Sequence, residues 1–221
     1  MVQTRPEPIG CIIDEVRHAL SWLGKCKRDR ALHTTHLVFK FTPDGGGSLK
    51  LKIEINTREH QNLHGLKTYP FEVNSDWHQA KADIVSVEPE ELFGTKLRAL
   101  LQRHKNRDLF DLNQGLLQLG LDRDKLIACF HFYLAQEGHP ISRANAEERM
   151  LKKLNQSLTE DIAPLLPAGV SFDDDAAVMA FGRVWGDLIA RIPGESWKAS
   201  RTVIEAIRKA KIPSLLDGIY E

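Results

Sequence analysis

Lys96 is a charged residue in an apolar register. In EELFGTKLRALLQRHKNRDLFDL, residues 90–112, Leu92, Phe93, Leu97, Leu100 and Leu101 recur at helical spacing. Lys96 lies one turn after Leu92 and one turn before Leu100. A lysine on such a stripe has to be paired, neutralised or stretched toward water, because an isolated buried ammonium is very unfavourable. The chemistry on offer is a phosphate-holding cation on a rigid helix. The plainer alternative is snorkelling of the long stem, which position alone favours. Beyond it Arg98, Arg103, His104, Lys105 and Arg107 crowd the junction with the next helix. Such a cluster draws phosphates locally even in a neutral chain, although a solvated loop is the commoner outcome for a run of charge. Asp108 and Asp111 follow, three apart at the start of that helix and so on one face. Capping and dipole effects account for acids there, and Arg107 stands at pairing distance in sequence from Asp111.

A second candidate is GGGSLKLKIEIN, residues 45–56. Its alternation places Leu49, Leu51, Ile53 and Ile55 on one face and Lys50, Lys52 and Glu54 on the other, the pattern of a half-buried strand. The charged face is either merely wet or the floor of a site. Other constellations are poorer. His60 and His64 lie in loop without a completing ligand. Ser48 sits in a hairpin rather than a strand-to-helix elbow. The acidic run SFDDDAA reads as a helix cap with its acidic first turn rather than a metal cluster. His131, Phe132 and Tyr133 have the chemistry to stack on a base, but their helical spacing favours the core.

These residues need elements to hold them. A helix is expected over 9–23, with Ile12, Ile13, Val16, Ala19, Leu20 and Leu23 on its apolar stripe, then the polar, basic connection GKCKRDR. Strands are expected over 35–43, 49–56, 69–74 and 81–87, with DGGG making the first reversal. Six helices follow, over 90–104, 107–119, 124–136, 143–158, 173–192 and 198–210, punctuated by Gly and Pro. The expectation is therefore an α+β chain with a sheet domain over 1–88 and a helical domain over 89–221. Lys plus Arg equals Asp plus Glu at 30 each, so no global field points to a nucleic acid or a membrane. Three scattered cysteines, no membrane-length apolar run and no signal-peptide plan fit a cytoplasmic protein.

The ordered combination is more specific than its parts. The hairpin strand LKLKIEINTRE, the aromatic-bearing strands after it and EPEELFGTKLRALLQRHKNRDLFDL together resemble the AbiEii/AbiGii family, nucleotidyltransferase-like toxins of bacterial toxin–antitoxin and abortive-infection systems. The resemblance runs over 34–112 and continues more weakly into the C-terminal helices. It implies a partial nucleotidyltransferase-like sheet, antiparallel or mixed, followed by a helical bundle. It also implies Mg²⁺-dependent transfer of a nucleotide from an NTP to an RNA (tRNA among them) or protein acceptor, and a cognate antitoxin. Glu54 matches the family's third metal-binding, catalytic carboxylate, with Lys50 and Lys52 beside it for the nucleotide. Lys96 matches the helix lysine that contacts nucleotide phosphates, with Arg103 and Arg107 in the same role. Asp108 and Asp111 match the closing catalytic acids. The family's Gly-Ser turn and D-x-D pair belong before the first helix and are missing from this sequence. Gly47-Ser48 lies inside the hairpin, and Asp173 and Asp175 follow no Gly-Ser. The expectation is thus an N-terminally shortened member, with either an upstream extension or a shortened form whose open sheet edge is covered by a homodimer or by a partner. Two readings compete with transfer: a catalytically silent relative that only binds nucleotide, RNA or antitoxin, and an α+β interaction domain.

Overall fold

Alternating apolar and polar residues build the first of two units. The computed structural model describes residues 2–3, 8–31, 33–76 and 78–219, and the chain divides into Met1–Asn62 and Leu63–Glu221. In the first unit, helix α1 (Gly10–Ala19) covers an antiparallel sheet of order β1-β2-β3, made of Cys26–Ala31, Thr34–Phe41 and Leu49–Asn56. Ile13 of α1 packs with Leu37, Phe39, Ile55 and Leu23. Gly46 and Gly47 adopt φ of 80° and 86° in the reversal between β2 and β3, a conformation that side-chain-bearing residues rarely take.

Three details differ from the sequence expectation. GKCKRDR is not a connection: most of it forms β1, whose charged residues are tolerated because the strand lies at the sheet's edge. The first helix ends at Ala19 and a separate 3-10 turn, Ser21–Leu23, carries Leu23 into the core. The apolar face of β3 is buried only toward its far end: Ile55 is 2% exposed, whereas Leu49 and Leu51 are 51% and 38% exposed. Beside that buried end Val2 forms a parallel bridge with Asn56, and the Gln3 N–H donates to the Asn56 carbonyl at 2.9 Å.

The second unit starts with a hairpin, β4 (Lys67–Ser75) and β5 (His78–Ser86), longer than the strands expected there. Six helices follow: α2 (Pro89–Gln102), α3 (Arg107–Gln118), α4 (Arg123–Glu137), α5 (Arg143–Lys153), α6 (Asp174–Asp187) and α7 (Ser200–Ala210). Their starts are chemically marked. Pro89 occupies the first turn of α2; Asp122, Ser142 and Asp173 accept backbone N–H bonds at the N-caps of α4, α5 and α6. The Asp173 carboxylate bonds the Ala176 N–H at 2.9 Å, so the acidic run is a cap. Two helices are shorter than expected: α5 stops at Lys153, and α6 gives way to a 3-10 turn at Ile189–Arg191. Leu97, Leu100, Leu109, Leu112, Phe130, Met150, Phe181, Trp185 and Ile204 make a continuous core contributed by all six helices. Among the described residues no helix is long and apolar enough to cross a membrane.

Glu88, between β5 and α2, ties these elements together. Its carboxylate receives the ammonium groups of Lys125 on α4 and Lys67 on β4. The Lys125 hydrogen bond, then that of Lys67, brings its pKa from the ordinary 4.5 to about 2. A depressed carboxyl contributes stability that is fully present above the unfolded value and is lost as pH falls. Urea midpoints should therefore drop between about pH 4.5 and 2, and Glu88→Gln should blunt that part of the drop. An unchanged acid profile in the variant would mean that the pair contributes nothing.

Candidate functional site

Close packing of α2 on α3 decides the fate of Lys96. Gly115 of α3 faces Phe93 of α2 so tightly that a Cβ there would come within 2.2 Å of the Phe93 ring. At that separation Lys96 Nζ reaches Asp111 Oδ2 at 2.5 Å, with side-chain exposures of 28% and 42%. The lysine is paired rather than left to snorkel alone. Its partner is Asp111, which does not pair with Arg107. Leu92, expected in the core, is 42% exposed because the buried face of α2 turns through Glu91, Phe93, Leu97, Leu100 and Leu101 instead.

Asp108 completes a charged cluster. Burial pushes its carboxyl above the usual range, Asp111 adds to that, and Lys96, Arg103 and Arg107 oppose it. A cleft of about 420 Å³ opens here, lined by Arg103, Lys105, Arg107, Asp108 and Asp111 on one side. Phe110, Ile162, Leu165 and Leu166 give it an apolar side.

The α2–α3 junction that carries these cations is fixed by residues to which the sequence reading gave no role. Asn106, 1% exposed, is held by protein groups: its N–H donates to Asp161 Oδ2 at 3.2 Å and its Nδ2 to the Ser157 carbonyl at 3.0 Å. Lys153 Nζ donates to the carbonyls of Arg103 and Lys105 at 2.8 and 3.3 Å and to Asn106 Oδ1 at 3.4 Å. Desolvation lowers the Lys153 pKa to about 8, against the opposing charges of Asp108 and Asp161. The signal was present in sequence: Lys153 falls between Met150 and Leu154 on the apolar stripe of its helix, as Lys96 does on α2. The apolar wall at 162–166 left no such signal.

Glu54 belongs to the sheet unit. It lies opposite His36 in the β2–β3 register. Lys52 donates to its Oε1, and His36 Nε2 stands 3.4 Å from the same oxygen. The Lys52 hydrogen bond foremost, with the charges of Lys52 and His36, holds the Glu54 carboxyl below its usual range against a smaller desolvation. Lys50 lies opposite Lys40 on that face. The structure thus brings Lys52 to Glu54, and Lys96 with Arg103 and Arg107 to Asp108 and Asp111, within their respective units.

A divalent cation is a poor fit to these groups. Asp111 is engaged by Lys96, and Glu54 by Lys52 and His36. No three His, Cys, Asp or Glu side chains among the described residues converge in a way that would seat a metal. What the cleft offers is three cations, two partly buried carboxyls, one of them paired with Lys96, and an apolar wall, a surface matched to a phosphorylated ligand with a flat ring.

A family model described as nucleotidyl transferase AbiEii toxin, type IV toxin–antitoxin system, matches residues 12–188. No curated protein and no solved structure matches the chain.

Proposed function

We propose, on the premise that this chain belongs to the nucleotidyl transferase AbiEii toxin family of type IV toxin–antitoxin systems, that it binds an NTP at the α2–α3 cleft and passes the nucleotide to an RNA acceptor. Its toxin family makes an antitoxin its partner. Lys96, Arg103 and Arg107 neutralise the triphosphate, Asp111 orients Lys96, and the wall of Phe110, Ile162, Leu165 and Leu166 packs the base. An acceptor hydroxyl oxygen forms a bond to the α-phosphorus, the α–β phosphoanhydride bond breaks, and pyrophosphate leaves. The hydroxyl proton goes to Asp108, for which burial-raised basicity is the useful property. Within the sheet unit, Glu54 is proposed as a catalytic group and Lys50 and Lys52 as nucleotide-binding groups, and the cytoplasm is proposed as the place where RNA and antitoxin are met. The observation that carries the reading is Asp111, paired with Lys96, lining one cleft together with Asp108 and two arginines.

One observation favours a second reading, a binding-only relative: the carboxylates present make no metal seat among the described residues, and Mg²⁺ is the family's usual aid to phosphoryl chemistry. Incubation with each α-³²P-labelled NTP, Mg²⁺ and total RNA separates the two. Label on RNA supports transfer. NTP binding without label establishes the silent relative, and absence of both removes the nucleotide reading altogether. β3, the last strand of its sheet, is the edge along which a homodimer is proposed to pair; a clean monomer in light scattering would count against it.

A further inference from the structure

The cations of the α2–α3 junction continue past the nucleotide cleft. Arg103 lines that cleft and also a second one, of about 280 Å³, where it meets His104, Arg149, Lys152 and Lys153 together with Gln102 and Gln156. None of the lining residues is acidic, although the chain as a whole has as many acids as bases. The fixed members are Lys153, bonded to the junction carbonyls, and Arg149, whose Nη1 donates to the Leu101 carbonyl at 3.2 Å. Arg103 and His104 are exposed, and their side chains have no bonding partner among the described residues. Lys152 pairs with Glu148 at 2.7 Å, an exposed contact of the kind that gives way readily.

We infer that this second cleft is the docking groove for the sugar–phosphate backbone of an RNA strand, delivering the acceptor to the nucleotide cleft through Arg103. The inference rests on the reading above and adds a surface contributed by α5. Its spread argues for a polymer: the lining residues run from the end of α2 and the α2–α3 junction (Leu101–His104) along α5 from Arg149 to Lys153 and on to Gln156 beyond the helix end, so its cations are strung out rather than focused on one phosphate. Its composition argues for nucleic acid over an acidic protein segment. Protein interfaces are anchored by buried aromatic and apolar side chains, and Leu101 is the single apolar residue lining this cleft. Arginine, lysine and amide side chains without apolar anchors are the usual equipment for phosphate contacts that hold a backbone without reading its bases.

The test uses the full chain carrying Lys152→Glu and Gln156→Glu, both exposed positions outside the nucleotide cleft. Binding of a short fluorescein-labelled single-stranded RNA of mixed sequence is followed by anisotropy over a salt series, and binding of a mant-labelled NTP is followed separately. RNA affinity is expected to fall by about tenfold or more, with the salt slope reduced by roughly 0.7 for each phosphate that is no longer neutralised. NTP affinity should stay within about twofold, since the nucleotide cations are untouched. Unchanged RNA affinity overturns the inference. So does preferential binding of a polyglutamate peptide over RNA, which would reassign the groove to an acidic protein partner. Lys152→Gln alone, a milder change, should give a smaller shift in the same direction and guards against a folding artefact. Loss of NTP binding in the unaltered chain would instead defeat the nucleotide reading, leaving the RNA result to stand by itself.

Discussion

Lys96→Ala is expected to weaken NTP binding by about tenfold to a hundredfold, the equivalent of one charge-assisted hydrogen bond of roughly 1.5–3 kcal/mol. Two effects act together. The ammonium that would face the triphosphate is removed, and Asp111, relieved of its 2.5 Å partner, is left as an uncompensated carboxylate beside an anionic ligand. Stability should change far less. Both side chains are partly exposed, Lys96 by 28% and Asp111 by 42%, and pairs in that regime contribute about 1 kcal/mol or less. The discriminating measurement is a mant-NTP titration alongside a thermal melt of the same preparation. Weak binding with a nearly unchanged melting point supports a ligand-directed lysine. Full affinity with a melting point several degrees lower would make the pair a strut between α2 and α3, and the proposed function would lose the observation that carries it.

The same residue shows what the sequence could reveal. That Lys96 needed a reason was evident from its stripe; that the reason is Asp111 was not, because the two meet only through the packing of α2 on α3. Local spacing offered Arg107 for Asp111, yet tertiary proximity gave Lys96. The helices themselves were legible, since apolar stripes, the acidic cap run before α6 and Gly or Pro stops mark them independently. Their ends were less so: the last turns of the expected helices near Leu23 and Ile192 tighten into 3-10 geometry that shares the helical pattern. β1 was illegible because an edge strand can be charged, and periodicity looks for apolar faces. Alternation in β3 correctly gave its two faces but not how much of the apolar one is covered, which depends on what packs there. In the cleft, the basic junction and both aspartates were visible in sequence. Asn106 and Lys153, which hold the junction's backbone, make bonds across about fifty residues of chain that no local pattern encodes.

Gly94→Ala is expected to damage the fold heavily for so small a change. Alanine in an open helix is better than glycine by about 0.5–1 kcal/mol, so the ordinary sign is stabilising. At Gly94 the sign reverses, because α2 and α4 cross there. An added Cβ would lie 2.8 Å from Cys129 Cβ, 2.9 Å from the Phe130 nitrogen and 3.0 Å from the Leu126 carbonyl oxygen. Two of those neighbours are backbone atoms of a helix, with no rotamer to yield, so the helices themselves must separate. Overpacking of this kind costs about 1–3 kcal/mol, and here the upper end or beyond is expected. Gly182 in α6 provides the internal control, since a Cβ there meets nothing within 4 Å. Gly182→Ala should raise the urea midpoint while Gly94→Ala lowers it. Two equal shifts of the same sign would mean that the α2–α4 crossing relaxes without cost. The consequence reaches the cleft as well, because α2 cannot be pushed off α4 without moving Lys96, two residues on, relative to Asp111 on α3. Gly94→Ala should therefore weaken NTP binding although it touches no ligand, and Gly182→Ala should leave that binding unaltered.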